Sequence, residues 1–450
     1  MRRITVLPIL FFVVSGILNV SLYAQNDSYK SYLEKEIVSN AITNSKKAQA
    51  SPYVIMVSID GFRHDYVELH QANSILEMRR NGSFTTSLIP SYPTKTFPNH
   101  YTLATGLYPE NHGIIGNTFY DPNFKKTYRI SNRSVVSDGD WYGGIPLWNL
   151  AQMQGMCSAS YFWVGSEANI NGMHPKYYYL YDKKTPYEYR VQRVLEWLEL
   201  PEAERPHMIT LYFSLVDTQG HKFGPEAMET KQAVQYVDKQ IEALRQGIRQ
   251  SGLPIYLIVT SDHGMQELSG FVNVNDYAEI EREQFIPGTM AMIYTKNKQD
   301  SDSLYGAFQD IQNFRAYRKE ELPNYLHYRD NDRIGDIVLI AEAPYTIINS
   351  KSNKGELLRT KGDHGFDPYT NDNMGGILYV EGPSIKKGYR VAPTENIHVY
   401  PLVAKLLDLK LMAPIDGRIE VLNSILIDWF INSYKIGWLQ KVNYLTRDRV

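Results

Sequence analysis

Four short runs of apolar and β-branched residues recur along the chain, separated by longer segments with a helix-like pattern. The runs are YVIMVSID at 53–60, MITLYFSLVD at 208–217, PIYLIVTSD at 254–262 and GGILYVEG at 375–382. Continuous apolar runs of this length are typical of buried strands. Residues 187–200 and 229–250 have the pattern of helices. This alternation predicts an α/β fold with a largely parallel central sheet flanked by helices.

Aspartates end three of these predicted strands. They are Asp60, Asp217 and Asp262. A single aspartate at such a position usually caps a helix or forms a turn. In open α/β sheets, however, ligands bind at the carboxyl ends of the strands. The pattern therefore predicts three carboxylates at one edge of the sheet, where they need compensating positive charge.

Three histidines accompany these aspartates. His221 lies four residues after Asp217, and His263 directly follows Asp262. His364 lies in the glycine-flanked turn KGDHGFD. Carboxylate oxygens with imidazole nitrogens suit zinc, and manganese or iron can use the same set. Because these side chains are too many for one tetrahedral ion, we predict two metal sites, an arrangement that recurs in phosphoryl transfer.

The remaining histidines are expected to have structural roles. The chain has 11 histidines, and an isolated one is more often a satisfied structural residue than a ligand. We expect His100 to pack or to form a hydrogen bond within the turn around Thr96. Structural roles are predicted for His64, His70, His112, His174, His207, His327 and His398.

The stretch SYPTKTFPNHYTLATGLYPENHGIIGN at 91–117 does not have the pattern of ordinary core. In it Thr96 stands between Lys95 and Phe97, and Pro98 is a residue favoured in the first turn of a helix. A threonine hydroxyl is a weak nucleophile until a metal or a base activates it. A helix N-terminus adds positive potential beside the hydroxyl. The stretch therefore predicts Thr96 as a nucleophile that is activated by metal coordination.

The first 24 residues are predicted not to belong to the fold. Two arginines precede an apolar run that ends at Ala24, which is typical of a signal peptide. An uncleaved N-terminal anchor is the alternative, although Pro8 and Asn19 weaken a permanent span. No second run of that length follows. We therefore predict an exported protein, cleaved after residues 1–24, with no membrane span in its mature form.

Composition limits the class of protein and the cellular compartment in which it is expected. The 450 residues are 43% hydrophobic and 21% charged, as in globular proteins, and the net charge is -2. This balance excludes a footprint for long nucleic acid but leaves a small phosphorylated ligand open. The single cysteine, Cys157, permits no intrachain disulfide and is expected to be buried. Export without disulfides favours a bacterial periplasm, with a secreted or anchored protein as the alternative.

The expected domain organisation is simple. Residues 25–50 are polar and are predicted to form a leader segment onto a catalytic domain at 51–450. Within that domain, residues 266–362 separate the Asp262-His263 pair from His364 and are predicted to form an insert beside the active site.

Six motifs together resemble the nucleotide pyrophosphatase/phosphodiesterases of the alkaline phosphatase superfamily. They are IDGFR (59–63), PTKTFPNHYTLATGLYPENHGIIGN (93–117), FWVGSE (162–167), DTQGH (217–221), SDHGM (261–265) and GDHGFDP (362–368). The resemblance covers roughly residues 53 to 400 and implies an alkaline-phosphatase-like fold. Cysteine-rich modules are absent before the catalytic part, and about 50 residues follow it. The bacterial, single-domain branch is therefore expected to be the nearer relative.

The resemblance also implies the roles of particular residues. Asn117 would hold a phosphoryl oxygen together with a backbone N–H at the nucleophile. Phe97 and Tyr181 would sandwich the nucleobase, and Glu167 and Tyr212 would line the same pocket. Two zinc ions are implied, one held by Asp217, His221 and His364, the other by Asp60, Asp262, His263 and the Thr96 hydroxyl.

The function that follows is an exported zinc phosphodiesterase. It is expected to cleave nucleoside triphosphates, dinucleotides and nucleotide diesters to nucleoside 5′-monophosphates through a covalent threonine intermediate. A phosphomonoesterase or a phospholipid-headgroup phosphodiesterase on the same scaffold is the alternative, and a catalytically inactive metal-binding or adhesion protein is a third. P-loop and GxSxG motifs are absent, which argues against those mechanisms. Base preference and oligomeric state are left open.

Overall fold

The computed structural model of the protein describes residues 29–350 and 360–427. The predicted signal peptide, residues 1–24, lies outside the described residues. Within the two described ranges, the helices are all too short or too polar to cross a lipid bilayer.

A nine-stranded sheet forms the centre of the molecule. Its strands are β1 (Ile37–Val38), β2 (Tyr53–Ile59), β3 (Ser83–Thr85), β4 (Ser158–Tyr161), β5 (Tyr177–Tyr178), β6 (Met208–Phe213), β7 (Ile255–Thr260), β8 (Leu378–Glu381) and β9 (Tyr389–Val391). They follow the order β1-β5-β4-β6-β2-β7-β8-β3-β9. Five neighbouring strands run parallel to one another, in the spatial order β5, β4, β6, β2 and β7. The predicted strand at 375–382 is β8, which runs antiparallel to β7 and makes the sheet mixed.

The central strands are buried on both faces, which explains their continuous apolar sequences. Along β2, Val54 and Met56 belong to one hydrophobic core, whereas Ile55 and Val57 belong to the other. Successive side chains of a strand point to opposite faces, so helices must cover both sides of the sheet. The observed architecture confirms the predicted α/β fold with a helix-flanked sheet.

Helices pack on both faces of the sheet. The longer ones are α1 (Asn73–Asn81), α2 (Thr96–Thr105), α3 (Tyr187–Glu199), α4 (Leu215–Phe223), α5 (Met228–Ser251), α6 (Lys298–Ala307) and α7 (Val399–Leu406). Shorter helices span Lys46–Gln49, Tyr66–Leu69, Pro109–His112, Arg133–Val136, Leu147–Met153 and Ile419–Leu422. Helices α3 and α5 match the predictions at 187–200 and 229–250 to within one residue at each end. One core contains side chains of α2 and α7, and the other contains side chains of α1, α3 and α5.

The predicted strand at 208–217 is too long. Strand β6 ends at Phe213, and α4 begins at Leu215. Asp217 therefore lies in the first turn of a helix and not at a strand end. A continuous apolar run does not distinguish the end of a buried strand from the first turn of a buried helix, which is why the prediction was wrong here.

The described part of the predicted leader is tied to the sheet. Strand β1 pairs with β5 at one edge. Just before it, the Glu36 carboxylate accepts hydrogen bonds from Arg193 Nη2 at 2.7 Å and from Trp197 Nε1 at 2.7 Å, both on α3. These contacts make residues 36–38 part of the folded body.

Much of the predicted insert, 266–362, folds around a second sheet. Its four antiparallel strands are, in spatial order, Phe285–Ile286, Met290–Ile293, Ile337–Ala341 and Phe314–Arg318. Two short pairs also involve the insert: Gln266–Glu267 with Gly362–Asp363, and Gly270–Asn273 with Tyr345–Ile348. The pair of Gln266–Glu267 with Gly362–Asp363 joins the two ends of the insert directly before His364. Two further pairs lie elsewhere in the described residues, Leu88–Ile89 with Thr394–Glu395 and Thr118–Asp121 with Lys126–Arg129. Residues 351–359 lie outside the described residues.

Candidate active site

Two of the predicted ligands are placed by neighbouring parallel strands. Asp60 directly follows β2, and Asp262 follows the end of β7 by two residues. Since β2 and β7 pair in parallel, their carboxyl ends meet at the same edge of the sheet. The Gly61 N–H donates to Asp262 Oδ1 at 3.1 Å, which ties the two chain segments together.

The first cluster gathers Asp60, Asp262, His263 and Thr96. The His263 Nε2 atom lies 3.0 Å from Asp262 Oδ2 and 3.5 Å from Asp60 Oδ1. The same nitrogen is 3.3 Å from Thr96 Oγ1. Thr96 is the first residue of α2, and Pro98 lies in its first turn, where proline was expected. This is the grouping that the family resemblance implied.

The second cluster gathers Asp217, His221 and His364. Asp217 and His221 are one turn apart on α4, and Asp217 Oδ1 lies 3.3 Å from His221 Nε2. The same oxygen is 3.6 Å from His364 Nε2, and the two Nε2 atoms are 3.2 Å apart. The Asp363 carboxylate also lies within reach of the two imidazoles.

Hydrogen bonds orient the three imidazoles with their Nε2 atoms toward the clusters. The Nδ1 atoms contact backbone carbonyl oxygens of Gly362, Thr94 and Gly264 at 2.7 to 2.8 Å. Because a carbonyl oxygen only accepts hydrogen bonds, each Nδ1 carries a hydrogen, and Nε2 is the ring nitrogen that faces the cluster and could bind a metal. Metal-ligating histidines are oriented in the same way by their second ring nitrogen.

The carboxylates supply a second sign that the residues fit a cation. Asp60 Oδ1, Asp217 Oδ1 and Asp262 Oδ2 are buried and have no hydrogen-bond donor in the described part of the chain. A buried acceptor without a partner costs about 1–3 kcal/mol, more when it is charged. Three such oxygens beside three imidazole Nε2 atoms form a donor set that suits zinc.

The pKa values in the site reflect the same concentration of negative charge. Burial, reinforced by the carboxylates of Asp262 and Asp217, raises the pKa of Asp60 well above its usual range. Burial alone would lower the pKa of His221, but the neighbouring Asp217 outweighs it and raises that pKa to about 9. Both shifts are those expected where a cation would neutralise excess negative charge.

A cavity of about 300 Å³ opens beside the two clusters. Its lining includes the predicted residues Phe97, Asn117, Glu167, Tyr181 and Tyr212 together with the candidate ligands Asp60, Thr96, Asp217, His221 and His364. The predicted substrate-binding residues and five of the seven candidate ligands therefore share one pocket.

Several of the predicted lining residues also hold one another in place. The Phe97 N–H donates to Asn117 Oδ1 at 3.0 Å, which leaves the amide Nδ2 of Asn117 as its donor. Glu167 Oε1 accepts from the Tyr181 N–H at 2.8 Å, and Glu167 Oε2 pairs with Arg133. Both oxygens of Glu167 are thus engaged by the protein.

Tyr212 and His100 contact candidate ligands directly. The Tyr212 hydroxyl donates to Asp60 Oδ2, a contact that the prediction of a lining role did not include. His100 Nδ1 lies 2.9 Å from Thr96 O and 3.2 Å from Asp262 Oδ2. The expected hydrogen bond within the Thr96 turn is present, and the proximity to Asp262 was not foreseen.

Sequence reasoning missed part of the pocket wall. Phe162 and Trp163 line the pocket and stand in the FWVGSE motif, from which only Glu167 was selected. Arg133 also lines it but lies in a segment without a motif. Ser214 joins β6 to α4 and Thr218 lies in the first turn of α4, and both line the pocket.

Comparisons with known proteins identify relatives of this chain. The family model described as type I phosphodiesterase/nucleotide pyrophosphatase matches residues 54–367. The venom phosphodiesterase of Naja atra is 35% identical over 417 residues, which are 89% of this chain and 50% of the relative. Ectonucleotide pyrophosphatase/phosphodiesterase family member 1 of Homo sapiens is 35% identical over 394 residues, 84% of this chain and 42% of the relative. The chain spans about half the length of the curated relatives it matches.

A solved structure of murine ectonucleotide pyrophosphatase/phosphodiesterase 5 is similar over its whole length. It is an inactive threonine-to-alanine variant in complex with AMP, with a TM-score of 0.78 and 29% sequence identity. The similarity covers 84% of this chain and 100% of that chain.

Proposed function

The chain belongs to the type I phosphodiesterase/nucleotide pyrophosphatase family, and from this premise we propose that it is a zinc-dependent hydrolase of nucleotides. Its substrates are nucleoside triphosphates, dinucleotides and nucleotide diesters, and its products include nucleoside 5′-monophosphates. The observation that carries the proposal is the position of Thr96 Oγ1, 3.3 Å from His263 Nε2 and at the wall of the aromatic pocket. Export by cleavage of residues 1–24 and a periplasmic location belong to the same proposal.

The proposed reaction has two steps. Thr96 Oγ attacks the phosphorus in line, so that an O–P bond forms while the bond to the leaving group breaks, and the threonine proton goes to the leaving group. Water then attacks the same phosphorus, the bond from Thr96 Oγ to phosphorus breaks, and a proton of the water returns to Oγ as the nucleoside monophosphate is released. Asn117 Nδ2 donates to a phosphoryl oxygen, because the Phe97 N–H already holds the other end of the amide.

The two clusters are the proposed zinc sites. Asp60, Asp262, His263 and Thr96 would hold one ion, and Asp217, His221 and His364 the other. Bound zinc would supply positive charge that lowers the pKa of the Thr96 hydroxyl and stabilises negative charge on the phosphoryl group.

The basic groups near the site favour a diester over a monoester. A dianionic phosphoryl group needs extra positive charge, yet Lys95 Nζ donates to Asp363 Oδ1 at 3.1 Å and to His364 O. Arg133, the one lysine or arginine among the residues that line the pocket, pairs with Glu167. Neither cation is free to neutralise a terminal phosphate.

The test compares three chromogenic substrates. Thymidine 5′-monophosphate p-nitrophenyl ester should be hydrolysed with a much higher kcat/KM than p-nitrophenyl phosphate or p-nitrophenyl phosphorylcholine. A preference for p-nitrophenyl phosphate would establish the monoesterase instead, and a preference for the phosphorylcholine ester the headgroup phosphodiesterase. Absence of hydrolysis of all three by the zinc-loaded protein would favour an inactive metal-binding protein.

Asn117→Ala is expected to lower kcat by about 10²–10³-fold, the usual cost of one donor to a developing oxyanion. The expectation follows from the amide orientation, because Phe97 N–H fixes Oδ1 and leaves Nδ2 for the phosphoryl oxygen. Steady-state kinetics on the thymidine ester checks it, with circular dichroism to show that the variant is folded. A kcat within twofold of wild type would mean that Asn117 is only a turn residue.

Phe97→Ala and Tyr181→Ala are expected to raise KM for nucleotide esters by about 5- to 150-fold, since stacking on a base contributes about 1–3 kcal/mol. Stacking holds the ground state and the transition state about equally, so kcat should change little. Cleavage of bis-p-nitrophenyl phosphate, which has no base, should be much less affected.

Tyr181→Phe is the matched control. It keeps the ring and removes only a hydroxyl that lies 3.5 Å from Ser214 Oγ, so its KM should stay near wild type. Equal losses on the thymidine ester and on bis-p-nitrophenyl phosphate would show that the two rings serve as scaffold.

A further inference from the structure

Thr94 and Lys95, which directly precede Thr96, form several hydrogen bonds with residues 363–366, the loop that carries His364. Thr94 makes three of the contacts. Its carbonyl oxygen is 2.7 Å from His364 Nδ1, and its hydroxyl accepts from the Gly365 N–H at 2.8 Å and donates to Phe366 O at 2.9 Å. Thr94 is fully buried. The hydroxyl of Thr94 therefore both donates and accepts a hydrogen bond within the His364 loop.

Lys95 holds the other side of the same loop. Its ammonium donates to Asp363 Oδ1 at 3.1 Å and to the carbonyl oxygen of His364. The Thr289 hydroxyl donates to that carbonyl as well, at 2.6 Å. The Lys95–Asp363 pair is largely buried, so its geometry is fixed more firmly than that of a surface ion pair.

The loop is shaped for this approach at Gly365. Its φ angle is +112°, and an added Cβ would lie 2.4 Å from Lys95 Cε and 2.4 Å from Thr289 Oγ1. Only glycine allows the backbone to pass so close to the lysine stem in this conformation. The loop and the Thr94–Lys95 segment are thus fitted to each other over several residues.

The contacts fix both the ring and the backbone of His364. The Thr94 carbonyl sets its tautomer, and the side chains of Thr94 and Lys95 hold the backbone on either side. Lys95 is also the residue that directly precedes Thr96, the first residue of α2. One short segment therefore ties the position of the nucleophile to that of a ligand in the second cluster.

We propose that Thr94 and Lys95 are positioning residues that hold His364 in place for zinc and so set the zinc affinity of the second cluster. The proposal rests on the proposed function only in taking zinc as the resident ion. Neither residue touches the reacting atoms.

Thr94→Val tests the proposal, because it keeps the shape and the carbonyl of Thr94 and removes the hydroxyl. We expect the zinc affinity of the second cluster to fall by about 10-fold, the lower end of the usual effect of disturbing the residues that support a metal ligand, because the carbonyl that contacts His364 Nδ1 is kept. The measurement is a competition between the protein and a chromophoric chelator, with zinc alone and no substrate. Thr94→Ser should restore most of the affinity.

Two further variants keep the test decisive. Lys95→Met, which removes the Asp363 ion pair but leaves Thr94 intact, should weaken zinc binding in the same direction and serves if Thr94→Val does not fold. Thr105→Val is the control. Its hydroxyl is buried in the same helix and donates to Tyr101 O at 2.7 Å, far along α2 from the clusters, so zinc affinity should not change.

The outcomes separate this proposal from the proposed function. Wild-type zinc affinity in both Thr94→Val and Lys95→Met would overturn the positioning role, even if the thymidine ester is hydrolysed. Weaker zinc binding in a protein that hydrolyses no nucleotide ester would support the positioning role and refute the proposed function. In excess zinc, kcat of the Thr94→Val variant should recover toward wild type; a kcat that stays low at full zinc occupancy would contradict a role in affinity.

Discussion

Thr96→Ala should lose about 10⁴-fold or more in kcat, as expected when a covalent hydrolase loses its nucleophile. The alanine variant cannot form the O–P bond of the first step. Its fold should survive, because the Thr96 hydroxyl contacts His263 Nε2 at 3.3 Å and fills no core position. Pre-steady-state and steady-state assays on the thymidine ester measure the loss, and thermal unfolding shows whether the fold is intact.

Thr96→Ser separates the hydroxyl from the rest of the side chain. It keeps an oxygen at the start of α2, so appreciable activity should remain. Thr105→Val, a hydroxyl deletion at the other end of the helix, should leave kcat unchanged. A kcat of Thr96→Ala within tenfold of wild type would exclude Thr96 as the attacking group, whatever the serine variant does.

Removal of metal should abolish activity, and zinc should restore it. Three buried carboxylate oxygens without a hydrogen-bond partner among the described residues lie beside three imidazole Nε2 atoms, and a bound cation would compensate their negative charge. Chelation should also lower Tm, since an ion present at about 1,000 times its Kd stabilises the folded state by about 4.1 kcal/mol. Activity, Tm and elemental analysis on the same stripped and reconstituted samples provide the measurement.

Replacing a single candidate ligand should remove one of the two zinc ions. His364→Ala should reduce bound zinc from two ions per chain to one, whereas His327→Ala should retain both. His327 stacks on Tyr108 at 4.0 Å, with no candidate ligand among its described contacts. Full activity of the stripped protein, or equal zinc content in both variants, would refute the two-ion arrangement.

The sequence predicted the parts of this molecule that follow from local pattern. Strands β2 and β7 are buried on both faces, so their apolar runs were unambiguous, and α3 and α5 show clear helical patterns. The end of β6 was misplaced because the apolar run continues into α4. The grouping of Asp217 with His221 survived that error, since a spacing of four residues brings two side chains together on a helix as well.

Contacts between distant residues could not be predicted in the same way. The pairing of Glu167 with Arg133 joins residues 34 positions apart, and the Tyr212 contact with Asp60 joins residues 152 apart. Such contacts depend on how the sheet brings segments together, which periodicity does not encode. The family resemblance supplied the identities of several pocket residues, but not the hydrogen bonds that hold them.

The secondary-structure elements that carry the two clusters differ in how firmly they are held. Asp60 and Asp262 extend from β2 and β7, adjacent strands that pair residue by residue at the centre of the sheet. The second cluster is shared between α4 and the His364 loop, whose backbone pairing is the short ladder of Gly362–Asp363 with Gln266–Glu267, outside the central sheet. Central strands open rarely, whereas helix ends and loops open often. The ion of the first cluster should therefore exchange slowly with the medium, and the ion of the second cluster should exchange quickly. The first ion would then stay bound as long as a structural component does, whereas occupancy of the second cluster would depend on the concentration of free metal in the surrounding medium.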